Sequence, residues 1–436
     1  MKSIFYAAIL GIVPAIAGAV DVSVCAVSHT GATLSAVADS ADANLEISLK
    51  NGATGETKTL SKNSSDARIS TRANVVKIAL GGLAPDTEYA FEVRDLCAKK
   101  SASGAFKTKA DFEGRTPPPD FSFAVLGANY INDKPFDPPF RTNGGEYEIF
   151  DAAANSKCDF AFFADGLDTL RNADLDSLSA VFSRFAKARS FAPARKFFAN
   201  TPCYGVVAAA AFGVGNPDKF AASAQYAGAT FDVFWGNPQP VENARYYKFG
   251  FSDAEFFVLD TCSERSNLDY KEHMPQILGE RQLTWLMASL AQSKATFKII
   301  VLNTPLTNPV KSASNMTFAE RERKALLDFL VLKKISGVVV FSANKRYFET
   351  TRFIRAGAYP LYEITVGAFT NRPAGENEVE MNYFRVPNSL STKRGFAVVK
   401  IDGAEGDRTL SVSILNAKSE PVSTLKLKQS DLEGDR

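Results

Sequence analysis

The sequence predicts two architectures in succession: an all-β sandwich over residues 20–109 and a layered α/β domain with mixed sheets over 121–425. Three observations carry this reading. Residues 20–109 fall into short alternating runs of apolar and polar residues broken by turn formers. "ADFEGRTPPPDF" then interrupts all periodicity with three successive prolines. Beyond Asp120 the β-like runs are wholly apolar and alternate with helical stretches, the pattern of sheets buried on both faces.

The chain opens with a segment that reads as a secretory signal. Lys2 supplies a positive start, "IFYAAILGIVPAIA" an apolar run, and Ala17-Gly18-Ala19 a small-x-small cleavage site. The run is shorter than the roughly 20 residues a spanning helix needs, and no later segment is long and apolar enough to span. No cysteine follows the cleavage site to carry a lipid. The expectation is a secreted or periplasmic protein, cleaved near Ala19, with no membrane span in the mature chain.

In the first domain, "ATLSAVA", "NLEISLK", "NVVKIAL", "YAFEVRD" and "GAFKTK" are the strand candidates. "LAPDTEYAFEV" (83–93) resembles the tyrosine corner of fibronectin type III domains, with Leu83, Pro85, Thr87 and Tyr89 at that family's spacing. The motif implies a loop locked to the sandwich by the tyrosine hydroxyl. Residues 110–120 form the proline-rich linker. Such a linker predicts few contacts across the boundary and two domains that fold independently.

The second domain carries "FSFAVLG", "DFAFFAD", "FKIIVLN" and "GVVVFSAN" as buried strands. "YYKFGFSDAEFFVLD" (246–260) reads as two strands joined at Ser252-Asp253. "LGERQLTWLMASLAQS" (278–293) sets Leu283, Leu286, Met287 and Leu290 on one helical face. "TFAERERKALLDFLVLKK" (317–334) begins with a capping-box pair, Thr317 and Glu320. Residues 426–436 are a polar tail.

Composition narrows the function. The 436 residues are too many for one ordinary domain, and 45% apolar with 22% charged residues is a globular balance. A net charge of +2 gives no field to attract nucleic acid. The basic run "SRFAKARSFAPARK" (183–196) has helical spacing and is expected to be a solvated face. Of five cysteines, Cys25 and Cys97 flank the sandwich and are candidates for a disulfide. Cys158, Cys203 and Cys262 sit among apolar neighbours and read as buried thiols.

The order of pieces from Phe121 to Leu425 resembles the PhoD-type alkaline phosphatases of the metallophosphatase superfamily. "GANYINDKPFD" and "GGEYEIFDAAANSKCDF" match the family's first strand end and the segment after it. Ala164-Asp165-Gly166 stands at the family's Gly-Asp-Asn. In "PCYGVVAAAAFGVGNPDK" (202–219) the frame of Thr201, Pro202, Tyr204, Phe212, Gly213 and Asp218 is retained. The last loop appears as Ser342, Ala343, Asn344, Lys345, Arg346, Tyr347, Phe348 and Glu349. "LGERQLTWL", "FKIIVLNTPL" and "LYEITVG" complete the pattern. The resemblance implies two mixed sheets flanked by helices, a binuclear metal centre and phosphomonoesterase or phosphodiesterase chemistry.

The residues do not follow the family in that chemistry. Where it has a cysteine, an Asp-Asp-His-Asp run and a final histidine, this chain has Ala128, Ala208 to Ala211, and Arg346. Only two histidines exist, His29 and His273. Asp165 alone remains as an ionisable ligand, and one carboxylate does not hold two ions. No catalytic residue is intact and no cofactor is expected. The vestigial pocket is expected to comprise Ala128, Asn129, Asp165, Ala208, Ala209, Ala210, Ala211, Asp218, Asp260, Asn303, Asn344, Lys345 and Arg346, with either Arg346 or Lys345 reaching Asp165 in place of the metal charge, or both bases facing solvent while Asp165 caps a helix or binds backbone amides.

Three functions compete. The first is a pseudophosphatase that binds an extracellular or periplasmic ligand, glycan or protein. The second is a phosphoester hydrolase with a remodelled or single-metal site. For it, "LDTCSER" (259–265) offers Asp260 and Cys262, and "DGLDTLRNADLD" (165–176) offers carboxylates for calcium. A buried thiol and an acidic helix start are the plainer readings of those stretches. The third is a structural spacer.

Overall fold

The computed structural model describes residues 20–134, 136–137, 140, 142–213, 216–238, 241–267 and 274–434. Met1 to Ala19, where the export signal is expected, and His273 lie outside the described residues.

Eight strands build the first domain: β1 (Asp21–Val27), β2 (Ala32–Val37), β3 (Leu45–Asn51), β4 (Thr57–Leu60), β5 (Ala67–Arg72), β6 (Val75–Leu80), β7 (Glu88–Asp95) and β8 (Lys100–Lys107). They pair into two four-stranded antiparallel sheets, β1-β2-β6-β5 and β4-β3-β7-β8. Alternation sends Tyr89, Phe91 and Val93 of β7 inward while Glu88, Ala90 and Arg94 face out. The tyrosine corner is formed: the Tyr89 hydroxyl accepts the Ala84 N–H at 2.9 Å and the Asn51 amide at 3.3 Å.

The second domain opens with β9 (Phe121–Leu126), α1 (Ile149–Asn155), β10 (Phe160–Phe163), α2 (Leu178–Ser190), α3 (Ala192–Asn200), β11 (Cys203–Gly205) and α4 (Ala222–Phe234). It continues with β12 (Tyr247–Phe251), β13 (Ala254–Val258), α5 (Gly279–Gln292), β14 (Phe297–Val301), α6 (Glu320–Leu332) and β15 (Val338–Ser342). It closes with β16 (Glu349–Phe353), β17 (Leu361–Thr365), β18 (Phe396–Asp402), β19 (Thr409–Leu415) and β20 (Pro421–Lys428).

Two six-stranded mixed sheets result, β11-β10-β9-β18-β19-β20 and β12-β13-β14-β15-β17-β16. Their facing sides share an aromatic core that includes Phe123, Phe160, Phe162, Phe256 and Phe341. Helices α1 to α4 cover the outer face of the first sheet, and α5 and α6 that of the second. The two parallel sets, β9-β10-β11 and β13-β14-β15-β17, deliver their carboxyl-end loops to one edge of the domain. That edge is where the candidate site lies.

Five details differ from expectation. Thr317 sits in a 3-10 turn, Met316–Ala319, and donates its hydroxyl to Val310 O at 2.6 Å instead of capping α6. Glu322 of α6 does the capping, for its neighbour: it accepts the N–H groups of Ile277, Leu278 and Gly279 at the start of α5. Cys25 and Cys97 are free thiols, one buried and one exposed. Cys25 points to the domain junction, against Gly236, while Cys97 lies in the β7–β8 turn. At the far end, β20 runs past the expected domain limit at Leu425 to Lys428, and Leu432 is buried, so most of the polar tail belongs to the domain.

The basic run is the fourth difference. Arg184 and Arg189 are buried rather than solvated. Arg189 stacks on Trp235 at 4.2 Å and Phe198 at 4.7 Å and donates to Ser23 Oγ of the sandwich at 2.9 Å. The fifth is the linker, which is tied down on both sides. Pro119 O accepts Ser252 Oγ at 2.7 Å and Arg408 Nη2 at 3.1 Å, and Lys109 reaches Gly250 O at 2.8 Å. Lys77 donates to the carbonyls of Asp232 and Trp235, and Arg195 pairs with Asp21 at 2.6 Å. The sandwich is therefore docked, and the chain is expected to unfold in one transition.

Replacing Tyr89 with Phe strands the Ala84 N–H and is expected to lower stability by about 1–2 kcal/mol. Urea unfolding monitored by tryptophan fluorescence checks it. The midpoint should fall with an unchanged slope, and an unshifted midpoint would show that the corner contributes nothing.

Candidate functional site

The strand-end loops enclose a cleft of about 510 Å³. Ala128 follows β9, Asp165 follows β10, Ala210 follows β11, and Asn344, Lys345 and Arg346 follow β15; all six line the cleft. The structure thus gathers residues that the sequence places over 200 positions apart. Its remaining wall comes from residues the strand ends did not reveal, chiefly Glu378, Glu380 and Asn371 in the loops after β17. The alternating acids of "GENEVEM" were their available signal, as partners for Lys345 and Arg346.

Other expected residues stand one layer behind. Asn129 donates to Leu167 O at 2.6 Å, and its amide oxygen accepts the Thr370 hydroxyl. Ala208, Ala209 and Ala211 are buried, and the 3-10 turn Ala209–Ala211 packs against Gly166. Gly166 has φ +80°, and a Cβ there would lie 2.5 Å from the Ala211 methyl, so only glycine fits. Asp218 and Asp260 do not line the cleft. Asp218 accepts from Phe220 N and Asn267, and Asp260 from the N–H groups of Cys262 and Ser263, so both serve turns.

Asn303, at the end of β14, ties the floor together. Its amide nitrogen donates to Asp165 Oδ1 at 2.6 Å and to Ala164 O at 3.0 Å, and its oxygen accepts Ala209 N–H at 3.0 Å. One side chain from the second sheet thereby fixes two loops of the first. Asp165 itself is 3% exposed. Burial pushes its carboxyl up to about 6, opposed by the Asn303 bond and the nearby charge of Arg346.

Neither base forms an ion pair with Asp165. Arg346 Nη2 lies 2.6 Å from Glu378 Oε1, which Arg372 also approaches at 3.1 Å. Lys345 Nζ lies 2.8 Å from Glu380 Oε1 and 2.9 Å from Ser314 Oγ. The physical reason is competition: the two glutamates sit on the more hydrated wall, where a pair costs less desolvation than at the floor. Glu378 is held down to about 2 by the Gly375 N–H, with Arg372 and Arg346 adding to it.

These residues do not fit a binuclear metal pair. Each ion needs several oxygen, nitrogen or sulfur donors, and the floor presents methyl groups at Ala128 and Ala210. Glu378 and Glu380 are engaged by cations, which leaves Asp165. Among the described residues, no group of three or more His, Cys, Asp or Glu side chains is close enough to share an ion. Asp168 and Asp174 of the acidic run 165–176 are likewise committed elsewhere. Asp168 faces Arg184 at 2.9 Å and accepts from Ile131 N and Thr169 N, while Asp174 pairs with Arg171 at 2.7 Å. Cys262 is fully buried and its thiol is pushed up to about 12, which leaves it neutral and unreactive.

Asp165 holds its proton more tightly folded than unfolded, so its ionisation costs stability as pH rises from about 4 through 6. The penalty is absent below that window. Asp165→Asn is expected to stabilise the protein by on the order of 2–3 kcal/mol at pH 8 and to change little at pH 4. Thermal melts at the two pH values decide; equal effects at both would refute the buried-charge account. Arg346→Ala removes only a one-third exposed pair and should cost under about 1 kcal/mol. A loss of several kcal/mol would place Arg346 on Asp165 after all.

No curated protein matches the chain in sequence. A family described as PhoD-like phosphatase matches residues 232–401. Among solved structures, that of PhoD superposes with a TM-score of 0.70 at 15% identity, covering 95% of this chain and 90% of that one. The sensor domain of the anti-sigma factor RsgI4 from Pseudobacteroides cellulosolvens is similar to 22% of the chain at 20% identity, over 98% of its own length, with a TM-score of 0.16. The chitinase ChiW from Paenibacillus sp. shows 12% identity and a TM-score of 0.19, over 74% of this chain and 20% of its own. The protein has the PhoD fold along nearly its whole length, and its residues 232–401 match the PhoD-like phosphatase family.

Proposed function

We propose that this PhoD-like protein is an exported pseudophosphatase, which binds a ligand, glycan or protein partner at the old catalytic edge without hydrolysing a phosphoester. One observation carries the reading: among the described residues Asp165 is the single carboxylate at the cleft floor, amid methyl groups where the resemblance implies metal ligands. Phosphoester hydrolysis in such folds depends on ions that activate water and neutralise the leaving group. Asp165 alone supplies neither, and Arg346 brings positive charge into the loop where a cation would bind. The retained cleft, walled by polar side chains, supports binding rather than a purely structural role. The export expectation rests on residues 1–19.

The test is metal analysis of the purified, dialysed protein together with phosphomonoester and phosphodiester assays in added manganese, zinc and calcium. The expected result is far less than one ion per chain and turnover at background. Two ions per chain with turnover would overturn the proposal. One ion per chain, with activity abolished in Asp165→Asn, would establish the remodelled single-metal hydrolase instead.

A further inference from the structure

The charges of the cleft balance in number but not in place. Glu378 on the wall is shared by Arg346, which lines the cleft, and by the exposed Arg372 beside it, so two guanidinium groups face one carboxylate there. Lys345 and Glu380 cancel each other. The remaining negative charge is Asp165, at the floor, where no lysine or arginine forms an ion pair with it among the described residues. Its Oδ1 accepts Asn303, and its Oδ2 has no protein partner among them. The site is a negative floor beneath a positive wall, separated rather than collapsed into a pair.

We propose that the cleft binds a small zwitterion, whose primary ammonium group meets Asp165 at the floor and whose anionic group meets Arg346 on the wall. The inference rests on the binding-protein reading and names its ligand class. An ammonium carries the three donors that an unpaired carboxylate oxygen lacks. The low-polarity floor, made by Ala128 and Ala210, strengthens that attraction relative to water. A simple anion would meet Asp165 as a like charge, and a simple cation would leave the surplus guanidinium unanswered. A molecule bearing both charges satisfies both ends, and a cleft of about 510 Å³ has room for it.

The groups facing Asp165 leave its charge unanswered. They are Asn303 from the end of β14, Arg346 from the loop after β15, and the neutral Cys262 thiol after β13, while the alanine turn after β11 contributes no titrating group. Lys345 with Glu380, and Arg372 with Glu378, complete the charged set around the cleft. An ammonium group brought to Asp165 supplies the countercharge that none of these groups provides.

The experiment is calorimetric titration of the full mature chain with ω-amino acids of graded length, from glycine to 6-aminohexanoate. Each is compared with its single-charge halves, such as butylamine and butanoate against 4-aminobutanoate. The expected result is one member that binds at least tenfold tighter than both of its halves at pH 7.5. That preference should vanish in Asp165→Asn, whose thermal melt confirms folding. If every zwitterion binds no better than its amine or its acid, the proposal is wrong. It is equally wrong if the preference survives Asp165→Asn. Metal content and phosphatase turnover, measured on the same sample, keep the two readings apart. A metal-free, inactive protein without zwitterion preference removes this inference alone.

Discussion

A carboxylate at the end of a buried strand must find a proton, a countercharge or enough hydrogen bonds, and the candidate site is arranged around how Asp165 meets that demand. Among the described residues it obtains one hydrogen bond, from Asn303, and no ion pair. Asn303 does more than satisfy one oxygen. By also binding Ala164 O and Ala209 N–H, it joins the β14 strand end of one sheet to the β10 and β11 loops of the other. The two sheets face each other across a largely aromatic core, whose contacts are non-directional. This amide, with the Tyr247 hydroxyl that donates to Gly205 O at 2.9 Å, supplies a directional link between them. Fold and site meet at one side chain.

The domain junction follows a related logic with the sign reversed. Arg189 is buried with no acidic partner among the described residues, and its charge is met by the faces of Trp235 and Phe198 and by the Ser23 hydroxyl. Because Ser23 belongs to β1 of the sandwich and the rings belong to the α/β domain, the cation is satisfied only when the domains dock. Val37 and Val75 enter the same apolar cluster from the sandwich side. Docking also settles the cysteine chemistry. Cys25 packs into this interface, while Cys97 stays at the exposed β7–β8 turn.

What the sequence made legible is what hydrophobic periodicity and turn chemistry encode. Predominantly apolar runs mark β9, β10, β14 and β15, the Ser252-Asp253 turn marks the β12–β13 hairpin, and Tyr89 marks the corner. The pocket forms where these strands end, which is why Ala128, Asp165, Ala210 and Asn344 come together as expected. What periodicity does not report is the partner of a charge. Arg184 and Arg189 have the spacing of a solvated face, yet Asp168 and an aromatic slot from distant segments bury them. Glu378 and Glu380 escaped attention because they follow no strand-end motif. They draw Lys345 and Arg346 off Asp165 through a loop whose position depends on β17 and β18 together. Likewise Thr317 has a capping spacing, but the Val310 carbonyl takes its hydroxyl.

The alanines bear on why the cleft persists. Methyl groups at Ala208 and Ala211 are not empty positions, since the turn they bound seats against Gly166 and buries the backbone beneath Asp165. A floor of this kind lowers the local dielectric, and the same lowering that raises the cost of ionising Asp165 magnifies any charge brought to it. If the loop served packing alone, the economical change would be Asp165 to a neutral residue, because Asn303 already satisfies Ala164 and Ala209 without it. The chain instead keeps the carboxylate, withholds both neighbouring bases from it by giving them glutamates, and leaves its second oxygen without a protein partner among the described residues. A buried charge maintained at a stability cost, with its obvious partners engaged elsewhere, is the signature of a group reserved for something that arrives from outside.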